Sequence, residues 1–329
     1  MFGFLKQRRQ TPSGFSSSSA AEEVTAGIDG SGLVAIVTGA SSGIGAETCR
    51  VLALRGVRVV MGVRTPSAGE RVKEEIVKNV PAADSPHSQI LRKAGQKKAE
   101  PNRHVSSMSS VKRFADNFNG LNLPLNILIN NAGIAFSPFT LSDDGIELQF
   151  ATNYLGHFLL TNLLLEKMKI TAMESGIEGR VVIVASDSYK HTYREGIRFD
   201  KLNDASGYKG ILAYGQSKLA NILRSNELSC RLKEEDAKVV VNSLHPGVVA
   251  TNITRHLGII KDILSPIAKL VLRGVEQGAA TVCYLALHPQ VAGVTGKYFV
   301  DFNAVELKPP ATDKELSKKL WDFSVSLLQ

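Results

Sequence analysis

Residues 33–45 read LVAIVTGASSGIG, and the reading of this stretch decides the fold. Residues 33–38 form a short, unbroken apolar run rich in β-branched side chains, as expected of a parallel strand buried on both faces. A glycine-rich turn, 39–45, follows. Residues 46–55 then take helical spacing, with Cys49, Leu52 and Ala53 on one face. Residues 57–61 (VRVVM) make a second strand and 67–79 an amphipathic helix with its charges outward. The spacing predicts a βαβ unit within about thirty residues.

Outward from this unit the alternation continues. Strands are predicted at 125–129, 181–185, 239–244 and 298–300, and helices at 106–118, 145–173, 214–235 and 275–287. Strands alternating with helices and no internal repeat imply an α/β fold, a single-domain Rossmann-like doubly wound parallel sheet. One segment breaks the pattern. Residues 84–104 (DSPHSQILRKAGQKKAEPNRH) have no strand period and read as a polar surface insert. The expected organisation is a flexible N-terminal tail over 1–30, the domain over 31–305, and an amphipathic C-terminal helix within 306–329. Thr312 and Glu315 supply a T-x-x-E capping box for that helix.

Composition bounds the function. In 329 residues, 43% hydrophobic side chains support a full core, and aromatics at 6% disfavour an aromatic-rich β-sandwich. The net charge is +8. Lys6, Arg8 and Arg9 hold three of the excess positive charges, and Arg92, Lys93, Lys97, Lys98 and Arg103 hold three more over Asp84 and Glu100. With the remainder nearly neutral, no nucleic-acid footprint is expected. Cys49, Cys230 and Cys283 show no metal spacing and read as small buried thiols of a reducing compartment. No apolar run is long enough for a transmembrane helix. The N-terminus is basic and Ser-rich without a secretory apolar core. It reads either as a weak organelle-targeting segment or as a plain tail.

Four motifs carry chemistry. Thr38, Gly39, Ala40, Ser41, Ser42, Gly43, Ile44 and Gly45 lie between a strand and a helix, where backbone N–H groups and the helix N-terminus suit a dinucleotide pyrophosphate. Tyr214 and Lys218 stand at i and i+4 on one helix, so that an ammonium beside a phenol favours proton exchange. Such a pair alone also fits an ordinary amphipathic surface. Asn130, Asn131, Ala132 and Gly133 end one strand, and Ser186 ends another, at the edge where α/β sheets bind ligands. Ser186 alone would equally serve as a helix cap or turn.

Taken in order, TGASSGIG, NNAG, the mid-helix Asn153, strand-end Ser186, Y-x-x-x-K, then Pro246-Gly247 with Thr251, the chain resembles the short-chain dehydrogenase/reductase family over nearly all of 33–300. The 28-residue interval from Ser186 to Tyr214 is similar to that of the retinol-dehydrogenase-like branch. Stretches such as AYGQSKLANIL and QGAATVCYLALHPQVAGVTGKYF resemble plant members associated with chloroplast inner-envelope protein import. The resemblance implies Ser186, Tyr214 and Lys218 as a catalytic triad and Asn153 as the fourth member, holding a relay water. Tyr214 would be the general acid, Ser186 would bind the carbonyl, and Lys218 would bind the nicotinamide ribose and lower the tyrosine pKa. It implies a dinucleotide held by Gly39, Ser41, Ser42, Gly43, Ile44, Gly45, Asn131, Ala132, Gly133, Tyr214, Lys218, Pro246, Gly247 and Thr251. It also implies a peripheral place at the chloroplast inner envelope, with a cytoplasmic protein as the alternative.

Cofactor choice rests on Arg64, at the end of the second strand, where an acidic residue would favour NAD(H). An arginine there pairs with a 2′-phosphate, so NADP(H) is expected. Two departures stand out. The insert at 84–104 stands where the resemblance implies the third strand, an edge strand that is expected to be disrupted, and His104 occupies the place of the family's adenine-contacting aspartate, which puts the adenine pocket in doubt. Ile183-Val184-Ala185-Ser186 replaces Asn-x-Ser-Ser while keeping the second serine. His245 and His157 read as structural or packing residues. Residues 259–275 read as a cover over substrate in preference to a membrane-surface contact. The terminal helix, with Lys314, Lys318, Lys319 and Trp321, suits either a calmodulin-type partner or packing through Leu320, Trp321 and Phe323. Three functions follow as expectations. The first is an NADP(H)-dependent oxidoreductase acting on a small apolar carbonyl or alcohol. The second is a dinucleotide-binding redox sensor or scaffold of an import complex. The third is a family member impaired at its adenine pocket.

Overall fold

The computed structural model describes residues 12–80, 105–249 and 273–329. In chain order these form α1 (Ala21–Val24), β1 (Val34–Thr38), α2 (Gly43–Leu54), β2 (Arg58–Gly62), α3 (Pro66–Asn79), α4 (Met108–Asn119) and β3 (Ile127–Asn130). A short α5 (Leu148–Phe150) runs through a π turn (Ala151–Leu155) into α6 (Gly156–Ser175). Then come β4 (Gly179–Val184), α7 (Gly210–Glu234), β5 (Val239–His245), α8 (Val275–Leu287), the hairpin β6 (Tyr298–Val300) and β7 (Asn303–Val305), and α9 (Lys314–Ser326).

The strands make one sheet in the order β2-β1-β3-β4-β5-β6-β7, parallel except for β7. The doubly wound reading holds because both strand faces are apolar. In β1, Val34 and Ile36 join the core under α4, α6, α7 and α9, whereas Ala35 and Val37 join the core under α2 and α8. The chain leaves β1 for β2 on one side and returns to β3 on the other, which opens a crevice at the carboxyl ends of β1 and β3. The insert at 84–104, His104, Thr251 and most of the 259–275 cover lie outside the described residues. Among the described strands, β2 is the edge on the β1 side and β7 the edge on the other.

Several expectations need correction. Order does not begin at residue 33. Residues 12–30 pack on the domain because Phe15 is an aromatic anchor, its ring 5.5–5.9 Å from His288, Phe302 and Tyr284. Ala21 and Val24 are buried, and the Arg55 guanidinium donates to Glu22 O and Thr25 Oγ1. The terminal helix is capped one residue later than the T-x-x-E pattern suggested. Asp313, not Thr312, accepts from the Leu316 N–H, and its carboxylate suits the helix N-terminus. Of the three thiols, Cys230 is exposed. The strand β7 adds to the expected sheet; its residues, Asn303–Val305, are half-buried to exposed and carry no apolar run to signal a strand.

α9 packs on α6 and α7. Trp321 meets Phe158 edge-on at 4.9 Å, and the Tyr154 hydroxyl and Ser324 Oγ are hydrogen-bonded at 2.6 Å. Near this seam lies Arg224 of α7, 2% exposed. Among the described residues no acceptor meets its Nε, Nη1 or Nη2. Burial lowers its pKa to about 10, the Tyr154 phenol opposing this only in part. A buried guanidinium without a partner subtracts from stability. Arg224→Met is therefore expected to stabilise the fold by about 2 kcal/mol, read as a higher urea midpoint at unchanged slope.

Candidate active site

The site grows from the carboxyl end of β1. The Thr38 hydroxyl oxygen accepts from the Asn131 and Ala132 N–H groups at 2.8 and 3.0 Å, and Asn131 Nδ2 donates to Thr38 O at 2.8 Å. The turn from β1 and the turn from β3 thus lie against one another. Glycine is required there: a Cβ on Gly45 would stand 2.3 Å from Gly39 O and 2.6 Å from Asn131 Nδ2. Gly39 and Gly43 take left-handed φ values of 68° and 53°. Ser42 at the start of α2 makes no side-chain cap bond, so the first N–H groups of the helix face outward for an anion. This uncapped, glycine-lined N-terminus fits a dinucleotide's pyrophosphate. Ser41, Ile44 and Gly133 border the same crevice in sequence, and Arg64, two residues beyond β2, is exposed.

The catalytic candidates converge on α7 and the end of β4. Tyr214 and Lys218 sit on the same buried face of α7. Ser186 lies close enough to the Tyr214 phenol to favour its charged form in part, and its Oγ donates to Ser188 Oγ at 3.2 Å. The cap reading of Ser186 is what the structure shows: its side chain accepts from the Ser188 N–H at the start of a short 3-10 turn, Asp187–Lys190. Gly215 makes the convergence feasible: a Cβ there would lie 2.0 Å from His191 O, so glycine alone lets the segment after β4 approach α7. Lys218 Nζ donates to Val184 O at 3.0 Å and stands 5.6 Å from the Tyr214 ring centroid. Phe136 packs on that ring at 5.1 Å.

Asn153 lies in the π turn and is engaged at every polar atom. Its Oδ1 accepts from the Ile134 N–H, its Nδ2 donates to Ile134 O and Ser217 Oγ, and its main-chain O accepts from Asn221 Nδ2 at 3.0 Å. Two supporting residues escaped the sequence reading, Ser217 and Asn221, spaced on α7 so as to face Asn153, and His157, four residues after Asn153, was read only as packing. Their spacing was the available signal. At the end of β5, Pro246 is buried, and Gly247 has φ 86° with the Arg273 side chain where a Cβ would be. Arg273 forms a bidentate pair with Asp301.

Electrostatics differ from the sequence expectation in one respect. Burial pushes the Tyr214 phenol up to about 12, and the neighbouring Ser186 side chain opposes this only in part. Lys218 was expected to lower it, but it is not among the groups that shift the phenol, its ammonium standing 5.6 Å from the ring centroid. Burial instead lowers Lys218 itself to about 8. At neutral pH the arrangement is a protonated phenol beside a charged amine, which suits proton donation to a carbonyl oxygen.

The family model for short chain dehydrogenases matches residues 33–198. The chain belongs to the short-chain dehydrogenase family. That is a family of oxidoreductases using nicotinamide dinucleotides. The chain is 50% identical over 316 residues to the short-chain dehydrogenase TIC 32 B, chloroplastic, of Brassica napus, spanning 96% of this chain and 95% of that one. It is 38% identical over 307 residues to human retinol dehydrogenase 14, spanning 89% and 85%. Among solved structures, a putative uncharacterized protein from Mycobacterium paratuberculosis superposes with a TM-score of 0.69 at 29% identity, covering 93% of this chain and 96% of that one. L-Sorbose reductase from Gluconobacter frateurii, complexed with NADPH and L-sorbose, shares the fold, with a TM-score of 0.61 at 19% identity over 85% and 99% of the two chains.

The two shifted groups set a pH dependence. Tyr214 keeps its proton throughout the physiological range, whereas Lys218 loses its charge as pH rises through about 8. Carbonyl reduction is therefore expected to hold a plateau below about pH 8 and decline above it, checked by kcat/KM against pH at saturating dinucleotide.

Proposed function

We propose that the protein is an NADP(H)-dependent oxidoreductase that interconverts a carbonyl and an alcohol on an apolar substrate. The observation that carries this reading is Tyr214 and Lys218 on one buried face of α7, with Ser186 at the end of β4 acting on the phenol, beside an uncapped, glycine-lined helix N-terminus. The Gly39–Gly45 turn would hold the pyrophosphate and Lys218 the ribose. The bound dinucleotide supplies or accepts the hydride. Tyr214 gives its proton to the carbonyl oxygen in reduction and takes it back in oxidation. Ser186 orients that oxygen, and Asn153 pins the 134 loop against α7 through Ile134 and Ser217.

Arg64 supports NADP(H): it is exposed just beyond the end of β2, where a guanidinium can fork onto a 2′-phosphate. An apolar substrate is supported by the borders of the site. Phe136 covers the Tyr214 ring, Ile211 stands one turn before Tyr214 at 60% exposure, and Val248 follows Pro246-Gly247 at 57%. A chloroplast location is supported by the likeness to the chloroplastic TIC 32 B protein, and a peripheral place at the inner envelope belongs to the same proposal. A second reading is a dinucleotide-binding sensor or scaffold within an import complex.

Tyr214→Phe is expected to lower turnover of an apolar carbonyl by roughly two to four orders of magnitude while leaving NADPH binding intact. Full retention of the cellular role by that variant would favour the sensor. Arg64→Ala is expected to weaken NADPH binding roughly ten- to a hundred-fold and leave NADH unchanged, measured by nicotinamide fluorescence. Equal loss for both cofactors removes Arg64 from the phosphate role.

A further inference from the structure

His157 connects the two halves of the site. It is 1% exposed on α6, four residues beyond Asn153. Its Nδ1 lies 3.1 Å from Asn153 O, and its Nε2 lies 2.9 Å from Thr38 Oγ1. These contacts fix the roles of both ring nitrogens. A carbonyl oxygen only accepts, so Nδ1 carries the hydrogen. Thr38 Oγ1 already accepts from two backbone N–H groups, so its own hydrogen is directed to Nε2 or, at a longer 3.3 Å, to Ile129 O. The 2.9 Å contact is then O–H···Nε2, from Thr38 to a neutral imidazole.

One ring therefore spans from the hydroxyl that joins the Gly-rich and NNAG turns to the carbonyl of the π turn that holds Asn153. That carbonyl also accepts from Asn221 Nδ2, so its two acceptor directions are both used by buried donors. The charged groups facing the ring are Arg224 and Lys218, both from α7. Burial is the largest cause and Arg224 the next in depressing His157 to about 3, so neither acid nor base in the physiological range disturbs this tautomer.

We propose that His157 is a positioning residue that locks the Asn153 turn to the dinucleotide cradle through a single neutral tautomer, Nδ1–H donating to Asn153 O and Nε2 accepting from Thr38. Its consequence for turnover rests on the oxidoreductase reading above. Its tautomer does not.

The test has two arms. In imidazole nitrogen–proton correlation spectra of the full-length chain, the signal that vanishes in His157→Phe should show the Nδ1–H pattern, unchanged between about pH 5 and 8. A titrating signal, or an Nε2–H pattern, overturns the assignment whether or not the chain is an active reductase. The second arm compares NADPH dissociation with kcat. His157→Phe should weaken NADPH binding and lower kcat by about tenfold each, the size of one lost buried hydrogen bond per side. His157→Asn keeps a donor near the δ position and should recover kcat more than affinity. His157→Gln reaches the ε position and should recover affinity more than kcat. Variants that lose melting temperature alone, with dissociation constant, kcat and pH profile unchanged, show a structural histidine and overturn the proposal. Failure of the wild-type chain to bind either dinucleotide would instead strike the oxidoreductase reading, leaving the spectra to decide His157.

Discussion

The close approach of the chain ends of β1 and β3 is the constraint on which the site depends. Thr38 places one hydroxyl oxygen under two N–H groups of the next turn, and Asn131 closes the contact from its side chain. This works only because Gly45 has no side chain to hold the turns apart. The same contact leaves the N-terminus of α2 uncapped and outward, and it gives His157 the hydroxyl it reads. Phosphate cradle and catalytic helix are thereby referred to one point in the sheet.

α7 is the second reference. It is buried along most of its length and carries Tyr214, Ser217, Lys218, Asn221 and Arg224. Burial has opposite effects on these groups. It raises the phenol and lowers the amine, which keeps a proton on Tyr214 and makes Lys218 the more easily discharged partner. Among the described residues it also leaves Arg224 without an acceptor. A helix of this kind is tuned for placement of polar groups at the expense of stability.

Much of the fold was legible because its signals are local. The apolar run of β1, the glycines after it and the spacing of Tyr214 and Lys218 are properties of neighbouring residues. Boundaries shifted where local patterns compete, as when Asp313 rather than Thr312 capped α9. The packed order of 12–30 was hidden in a Ser-rich composition, because one phenylalanine finding Tyr284, His288 and Phe302 is a long-range event.

The site divides in the same way. The sequence by itself determined the parallel α/β sheet and the glycine turn, since each lies in a contiguous stretch with its own pattern, and it offered Ser186, Tyr214 and Lys218 as candidates. The tertiary structure alone decided that Gly215 lets the segment after β4 approach α7, that Lys218 Nζ stands 5.6 Å from the Tyr214 ring centroid, and that His157 joins Asn153 to Thr38. These are facts of distance and desolvation between segments up to about a hundred residues apart, and desolvation is set by the packed whole rather than by any neighbour in the chain.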